Sequence, residues 1–287
     1  MILSRLDILQ VRNLQDVHVL CHPKGNVIYG ANGSGKTSLL EAIYLLGRGR
    51  SFRHRDLRLV IGENATELVV SARVERSAPQ TCYQLGVKRT VAGRFEARLD
   101  GESLQSSAQL VEALPLQLID AHSFTLLEGG PLQRRQFLDW GVFHVEHQFF
   151  GQWQRFQRSI KQRNNLLRRG KISDQELAAW TRDLAQTGTV INEYRKDYFE
   201  ILAPCFKEIM ARLAPSLDAL ELRYQQGWDR QLTYSEALAQ GFAADTEHGY
   251  THSGPQRADI RVLSGNHLAA ETLSRGGLLY KSPSPRD

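Results

Sequence analysis

Hydrophobic and polar positions follow one period up to residue 114 and a different period after it. In the first part, apolar residues alternate with polar ones in short runs, and this period of two predicts β-strands. The runs are residues 6–8, 17–19, 67–74, 83–87 and 94–99. The last run ends in Asp100-Gly101, a strong hairpin signal. Successive strands without helices between them predict an antiparallel sheet.

After Pro115 the pattern becomes helical. Residues 115–119 predict one more strand, and Pro131 is typical of the first position of a helix. The next helix is predicted to end near Gly170, and its apolar stripe is Trp153, Phe156, Ile160 and Leu167. The sequence Ser-Asp-Gln-Glu at 173–176 predicts the capping box of a second long helix, which Pro204 is expected to kink or break.

One glycine-rich segment fits neither period. It reads Gly30-Ala31-Asn32-Gly33-Ser34-Gly35-Lys36-Thr37, which has the form G-x-x-x-x-G-K-T. A short apolar run at 26–29 predicts a strand before it, and a helical pattern at 38–46 follows. Glycines let backbone N–H groups converge on an anion, and a helix N-terminus adds its positive dipole end. We therefore predict a nucleoside triphosphate site, with Lys36 on the β- and γ-phosphates and Thr37 on Mg²⁺.

Composition is compatible with this prediction and adds limits. The 287 residues are 41% hydrophobic and 23% charged, which is ordinary for a globular protein. A net charge of +5 is compatible with a nucleic-acid partner. The odd and widely spaced Cys21, Cys82 and Cys205 predict neither a disulfide framework nor a metal cluster. With no secretory leader and no long apolar run, we expect a soluble, cytoplasmic protein without a membrane partner.

Two concentrations of basic residues are candidates for contact with the phosphates of a nucleic acid. The first lacks acids from 151 to 171, and the predicted DNA-binding residues in it are Arg155, Arg158, Lys161, Arg163, Arg168 and Arg169. The second contains Arg48, Arg50, Arg53, Arg55 and Arg58, with Asp56 among them. Such faces bind phosphates without reading sequence, and the alternative is a solvated helix face. The aromatics Trp153, Phe156, Tyr194 and Tyr198 have helical spacing and are predicted to be core.

An ordered set of further segments resembles the bacterial RecF family over residues 1–276. Besides the phosphate loop, the set consists of Val11-Arg12-Asn13-Leu14, Leu40-Glu41-Ala42-Ile43, Arg50-Ser51-Phe52-Arg53, Leu127-Glu128-Gly129-Gly130-Pro131, Arg134-Arg135, Phe137-Leu138-Asp139-Trp140-Gly141-Val142-Phe143-His144-Val145, Lys161-Gln162-Arg163-Asn164, Gly254-Pro255-Gln256-Arg257 and Leu273-Ser274-Arg275-Gly276. The chain departs from the family at Gln256, where a histidine is usual.

The resemblance implies an α/β fold: an ABC-type P-loop ATPase head, with a mixed sheet and an antiparallel β subdomain, and a mainly helical second lobe. The lobes are expected at 1–114 and 115–276. ATP is expected to drive formation of a homodimer, with Ser274, Arg275 and Gly276 reaching the partner's nucleotide in trans. A glutamine that contacts Mg²⁺ is expected near the start of the second lobe, with Gln117 and Asp120–His122 as candidates. A strand-end cap or solvated turn is the alternative for Asp120 and His122.

The family resemblance also implies a function. It implies a recombination mediator in DNA repair, in gap repair, in the SOS response and in replication maintenance. This mediator would bind single-stranded and gapped duplex DNA and act with other mediators of the RecFOR pathway. Rival interpretations are an ABC-type transport ATPase subunit and an SMC/Rad50-like head fragment. The basic helical lobe argues against the first, and the lack of sustained heptads argues against the second.

The end of the sequence departs from the family. The family has weak DNA-stimulated ATPase activity, which needs an acidic pair after a hydrophobic strand, but residues 277–287 contain no such Walker B segment. We therefore expect no catalytic residues, ATP binding without hydrolysis and a non-native tail at 277–287, with a natural divergent C-terminus as the alternative. Without that strand, the sheet is expected to keep an unpaired edge.

Overall fold

The structure is a computed structural model that describes residues 1–77, 80–169, 174–214 and 220–272. It divides into two units, Met1–Ile119 (unit 1) and Asp120–Asp287 (unit 2). The boundary comes after residues 115–119, which belong to unit 1. Arg48 Nη2 holds this segment by donating to the carbonyl oxygen of Leu116 at 2.9 Å.

Unit 1 is built on a six-stranded sheet in the order β2-β1-β3-β4-β5-β6. The strands are β1 (Ile2–Val11), β2 (Leu14–Leu20), β3 (Glu67–Ser77), β4 (Gln80–Thr90), β5 (Phe95–Leu99) and β6 (Glu102–Ser103). Every neighbouring pair is antiparallel, as the alternation predicts. The predicted hairpin turn after β5 also forms, and both Asp100 and Gly101 have positive φ.

Alternation along the strands gives the sheet one apolar face. The inward positions, such as Leu6 and Leu68, are completely buried. They pack against two helices, α1 (Lys36–Arg48) and α2 (Ser107–Ala113), and a 3₁₀ turn (Leu57–Val60) lies beside them. This apolar layer supports the start of α1, which directly follows the phosphate loop.

Two predicted strands do not form. Residues 26–29 and 115–119 have no regular secondary structure, and Val27, Tyr29 and Ile119 are 88%, 89% and 88% exposed. A strand needs a hydrogen-bonded neighbour, and no strand in the described part of the chain pairs with either segment. The expectation of a mixed sheet is therefore wrong for the described residues, whose two sheets are both antiparallel.

Unit 2 is mainly helical. Its helices are α3 (Thr125–Glu128), α4 (Pro131–Val145), α5 (Phe149–Arg169), α6 (Asp174–Leu213), α7 (Tyr234–Gln240), α8 (Phe242–His248) and α9 (Ala269–Thr272). Pro131 occupies the first turn of α4, as predicted. The predicted end at Gly170 and the capping Ser173 lie outside the described residues. Helix α6 does not end at Pro204 but continues to Leu213.

A small sheet in unit 2 has no counterpart in the sequence predictions. It consists of β7 (Leu220–Gln225), β8 (Asp259–Ser264) and β9 (His267–Leu268), all antiparallel. It shares a core with α4, α5 and α6, in which Phe156 and Leu184 are buried. Trp153, Tyr194 and Tyr198 pack against this core, so the prediction that these aromatics are core residues is confirmed.

Candidate functional site

The phosphate loop adopts a conformation that only glycines tolerate well. Gly33 and Gly35 have φ of 83° and 98°, in the left-handed region that L side chains rarely adopt. Gly35 is also the N-cap of α1 and provides no capping side chain. The first turn of α1 contains no acidic residue. The N-terminal N–H groups of α1 therefore form a positive end that suits an anion.

Lys36 and Thr37 lie at the start of this helix. The Lys36 ammonium folds back over the loop and donates to the carbonyl oxygens of Gly30 and Ala31, at 2.9 and 2.8 Å. Thr37 is exposed in the first turn of α1. A flexible cation and a free hydroxyl beside a row of N–H groups have the chemistry that a triphosphate and its Mg²⁺ require.

The turn between β1 and β2 holds the loop in place. Asn13 Nδ2 donates to the carbonyl oxygen of Gly33 (3.0 Å), and Asn13 Oδ1 accepts from the Ser38 hydroxyl in α1 (2.8 Å). A Cβ on Gly35 would lie 2.6 Å from a methyl carbon of Leu14. The hairpin turn thus contacts both the loop and the helix that follows it.

A wholly buried carboxylate adds a second connection. Glu41 in α1 is 0% exposed and accepts hydrogen bonds from Arg12, which lies in the turn between β1 and β2, and from Ser51. The Arg53 guanidinium lies 3.8 Å away. Burial acts to raise the pKa of Glu41, but the hydrogen bonds from Arg12 and Ser51 and the two arginine charges outweigh it, so its pKa is lowered.

The cluster around Glu41 explains why several motif segments occur together. Three segments of the resemblance, 11–14, 40–43 and 50–53, meet at this one carboxylate. The sequence predictions gave Glu41 no role. Its signal was visible, because Glu41 stands on the inward face of α1 with Ala42 and Leu45, where a charge is unusual.

The basic run on α5 separates into an outer and an inner face. Arg158, Lys161, Arg168 and Arg169 are exposed, together with the uncharged Gln154. We call Arg158, Lys161, Arg168 and Arg169 the basic face of α5. Arg155 is also accessible but pairs with Asp183 of α6. Lys171 lies outside the described residues.

Arg163 is a correction to the predicted DNA-binding set. Its side chain is 0% exposed and donates to Asp245 Oδ2 (2.7 Å) and to the Thr251 hydroxyl (2.6 Å). It stands one turn from Ser159 on the inward face of the helix, so the sequence run contains one cation that points into the core. The Arg163 guanidinium is inaccessible to DNA in this fold.

The second basic concentration, in unit 1, is partly neutralised. Arg58 forms an ion pair with Asp56 at 2.7 Å. Arg53 approaches Glu41, and Arg48 donates to the backbone. These partners give the segment a structural role around α1.

The other predicted site residues fall into two groups. Gln117 is exposed in an irregular segment of unit 1, and Asp120 caps a 3₁₀ turn (Ala121–Phe124) by accepting from the backbone N–H of His122. Asp120 is exposed and caps a turn, not the end of a strand, since residues 115–119 form no strand. The signature residues Ser274, Arg275 and Gly276 lie outside the described residues, directly after α9.

Gln256 occupies a defined position. Its side-chain amide donates to the carbonyl oxygens of Thr251 and Ser253, at 3.3 and 3.0 Å, and closes the loop before β8. Arginines from α4 and α6 hold the same segment from the other side: Arg195 donates to the Pro255 carbonyl and Arg135 to the Ala258 carbonyl.

Two absences apply to the described part of the chain. Within it, no three His, Cys, Asp or Glu side chains are grouped as ligands for a metal ion. Within the same ranges, no helix has the length and apolar character needed to cross a bilayer.

Comparisons with known proteins agree with this organisation. The RecF/RecN/SMC N terminal domain family matches residues 2–278. The DNA replication and repair proteins RecF of Pseudomonas putida (strain GB-1) and Stutzerimonas stutzeri (strain A1501) are both 48% identical over 96% of this chain and over 75% and 74% of their own lengths.

Solved structures show the same fold. A recombination mediator RecF with ATP, of the RecFOR pathway, superposes with a TM-score of 0.82 at 22% identity, over 96% of this chain and 77% of its own. An Smc head bound to a domain of ScpA reaches 0.57 at 15% identity, over 97% and 73%. This is the mixed α/β fold of RecF and SMC heads. The family match and the close curated relatives lead to one conclusion: this chain belongs to the RecF family of DNA replication and repair proteins.

Proposed function

We propose that this chain is an ATP-controlled, DNA-binding recombination mediator. The observation that carries the nucleotide part is the phosphate loop, in which left-handed glycines lead into an uncapped helix start beside Lys36. In this proposal, ATP forms the link between two copies, with the loop of one subunit and Ser274, Arg275 and Gly276 of the other around the same nucleotide.

The chain's own residues have separate tasks at the nucleotide. The α1 N–H groups and Lys36 bind the phosphates, and Thr37 supplies a hydroxyl ligand to Mg²⁺, which neutralises phosphate charge when bound. Asn13 and Leu14 fix the loop from the hairpin turn. Gln117 is proposed as a further contact to Mg²⁺, since its side chain is exposed.

DNA is proposed to bind through the basic face of α5. Its four cations lie on one side of a helix, and the acid-free sequence around them leaves their charges uncompensated from within α5. Such a face binds phosphates of single-stranded and gapped DNA without reading bases. Other RecFOR mediators are the proposed protein partners in DNA repair and replication maintenance.

The nucleotide proposal is tested with Lys36→Ala in an ATP-binding titration. Loss of charge-assisted hydrogen bonds worth about 1.5–3 kcal/mol predicts affinity lower by about 10- to 150-fold. Lys196→Ala is the matched control, because it removes the same side chain from an exposed position on α6. Equal ATP affinity in the two variants would overturn the assignment.

The DNA proposal is tested by reversing Arg158, Lys161 and Arg168 to Glu and measuring affinity for gapped duplex as a function of salt. Three lost phosphate contacts reduce the slope of log K against log salt by about 2.7. The control reverses Lys196, Lys207 and Arg212, which are exposed on α6 and change the net charge equally. Similar slopes for both triple variants would contradict a dedicated DNA face.

A further inference from the structure

Three arginines of unit 2 lie around the loop before β8, and two of them form ion pairs with aspartates. Arg134 of α4 makes a two-point ion pair with Asp259 (2.8 and 3.0 Å) and donates to the carbonyl oxygens of Leu126 and Gly129. Arg195 of α6 makes the same kind of pair with Asp139 (2.8 and 3.0 Å). Such two-point pairs use the fixed fork of the guanidinium and neutralise its charge.

Arg135, the third arginine, is different. It is half-buried and donates through Nη1 to the Ala258 carbonyl (2.8 Å), and none of the ion pairs found among the described residues includes it. Burial is the main cause that lowers the pKa of Arg135, and the positive charges of Arg195 and Arg257 lower it further. The negative charges of Asp259 and Asp139 raise this pKa but do not offset the lowering. Because Arg135 has no ion pair within the described ranges and uses only Nη1 in its recorded hydrogen bond, its guanidinium remains available to an anion from outside.

Arg257 supplies a second uncompensated charge beside Arg135. It is exposed at the end of the 3₁₀ turn (Pro255–Arg257), and its guanidinium carbon lies 5.9 Å from the centre of the Tyr250 ring. It also takes part in none of the ion pairs within the described ranges. Arg135 reaches this turn from α4, since it donates to the carbonyl oxygen of Ala258, the residue after Arg257. Two guanidinium groups at one turn can hold one phosphate between them, because each offers a fork of N–H donors.

One segment of the chain links Arg257 to α5. Tyr250 follows Gly249, where an added Cβ would lie 2.9 Å from Arg168 Cγ. The chain therefore runs from the side chain of Arg168, on the basic face of α5, through Gly249 and Tyr250 to Arg257.

We propose that Arg135 and Arg257 together bind one phosphate group, and that this site continues the basic face of α5 into a single track for a DNA backbone. The proposal rests on the DNA-binding function proposed above. Continuity with α5 favours a DNA phosphate over a phosphate of the nucleotide, and the experiment separates these two sources.

The experiment measures binding of the full chain to a labelled gapped duplex between about 50 and 200 mM salt. One lost phosphate contact lowers the slope of log K against log salt by about 0.9, which corresponds to a three- to fourfold smaller loss of affinity over this range. Arg135→Gln, Arg257→Gln and the double variant are each expected to show this change and no more, because both side chains share one phosphate.

Arg212→Gln is the matched control and is expected to leave the slope unchanged. Arg212 is exposed on α6, about 25 Å along the helix from Arg195. The Arg257 side chain makes none of the hydrogen bonds found in the described residues, and its backbone N–H bond to the Gly254 carbonyl (2.8 Å) is independent of the side chain, so Arg257→Gln tests the site without disturbing the loop. Arg135→Lys keeps the charge and should retain most of the slope, whereas a purely structural role would make Lys and Gln equally harmful.

Two results would overturn the proposal in different ways. Unchanged slopes in Arg257→Gln and the double variant, while the α5 triple variant loses its slope, would remove the Arg135–Arg257 site and leave the proposed function intact. Lower ATP affinity with an unchanged DNA slope would assign the phosphate to the nucleotide and overturn the DNA track. If the triple variant also kept its slope, the proposed DNA face would fail as well.

Discussion

Among the described residues, each unit of the molecule has one charged side chain that is completely buried, and the two charges have opposite sign. Unit 1 buries Glu41, whose partner Arg12 lies 29 residues away, and unit 2 buries Arg163, whose partner Asp245 lies 82 residues away. Glu41 joins the segments that support the phosphate loop. Arg163 instead removes one cation from a basic run and fixes the inner face of α5, so that only the outer face presents charge to solvent.

The two clusters can be followed separately in one sample. All four tryptophans, Trp140, Trp153, Trp180 and Trp228, belong to unit 2. Tryptophan fluorescence therefore reports on the unit of Arg163, whereas far-UV circular dichroism reports on both. Multi-unit chains often unfold in more than one step, which makes this distinction useful.

The largest effect is expected for Arg163→Met. It leaves the Asp245 carboxylate buried without its arginine, which costs about 3–5 kcal/mol of unfolding free energy. Arg158→Met, five residues earlier on the exposed face, should change stability by no more than about 0.5 kcal/mol. Urea unfolding monitored by tryptophan fluorescence measures both variants.

A second substitution sharpens this result. Arg163→Met combined with Asp245→Leu replaces the ion pair with apolar groups and should recover most of the lost stability. If Arg163→Met were as stable as Arg158→Met, the buried pair would be unimportant and Arg163 would return to the candidate DNA contacts.

Glu41→Gln is expected to have the next largest effect. The amide keeps the size of the side chain, but Arg12 loses its ionic partner, which costs about 1.5–3 kcal/mol. The loss should appear in the circular dichroism transition and leave the tryptophan transition in place. A shift of the tryptophan transition alone would contradict the assignment of Glu41 to the stability of unit 1.

Acid should reveal the same cluster in the wild-type chain. The pKa of Glu41 is lowered below its ordinary value of 4.5. Its contribution to stability is therefore complete above pH 4.5 and is lost as pH falls through the lower, folded-state pKa. We expect unit 1 of the wild type to lose more stability than that of Glu41→Gln in this window, measured by circular dichroism from pH 6 down to pH 3.

The smallest effect is expected for Gln256→His, which installs the residue usual in the family. The Gln256 amide donates to two carbonyl oxygens, and an imidazole can satisfy fewer of these contacts from one position. The expected cost is about 0.5–1.5 kcal/mol, read from the tryptophan transition. Gln256→Ala is the matched control and should cost more, since it provides no donor at all.

The sequence predicts those parts of the fold that depend on neighbouring residues. The phosphate loop, the antiparallel hairpins and the helix that starts at Pro131 follow from local spacing. Arg163 could not be assigned, because Asp245 is too distant in sequence to reveal that the two meet. The runs at 26–29 and 115–119 have strand-like composition, but a strand forms only where a neighbour supplies hydrogen bonds.

The turn between β1 and β2 contains an unusual backbone. Arg12 has a φ of 52°, a left-handed conformation that glycine would adopt more easily. A glycine there would relax the backbone but would remove the guanidinium that Glu41 binds. The position therefore keeps a strained residue for the sake of its side chain. The ion pair with Glu41 therefore offsets the backbone strain at Arg12. If Glu41 lost its charge, this strain would no longer be offset, and the turn would be held less firmly against the phosphate loop.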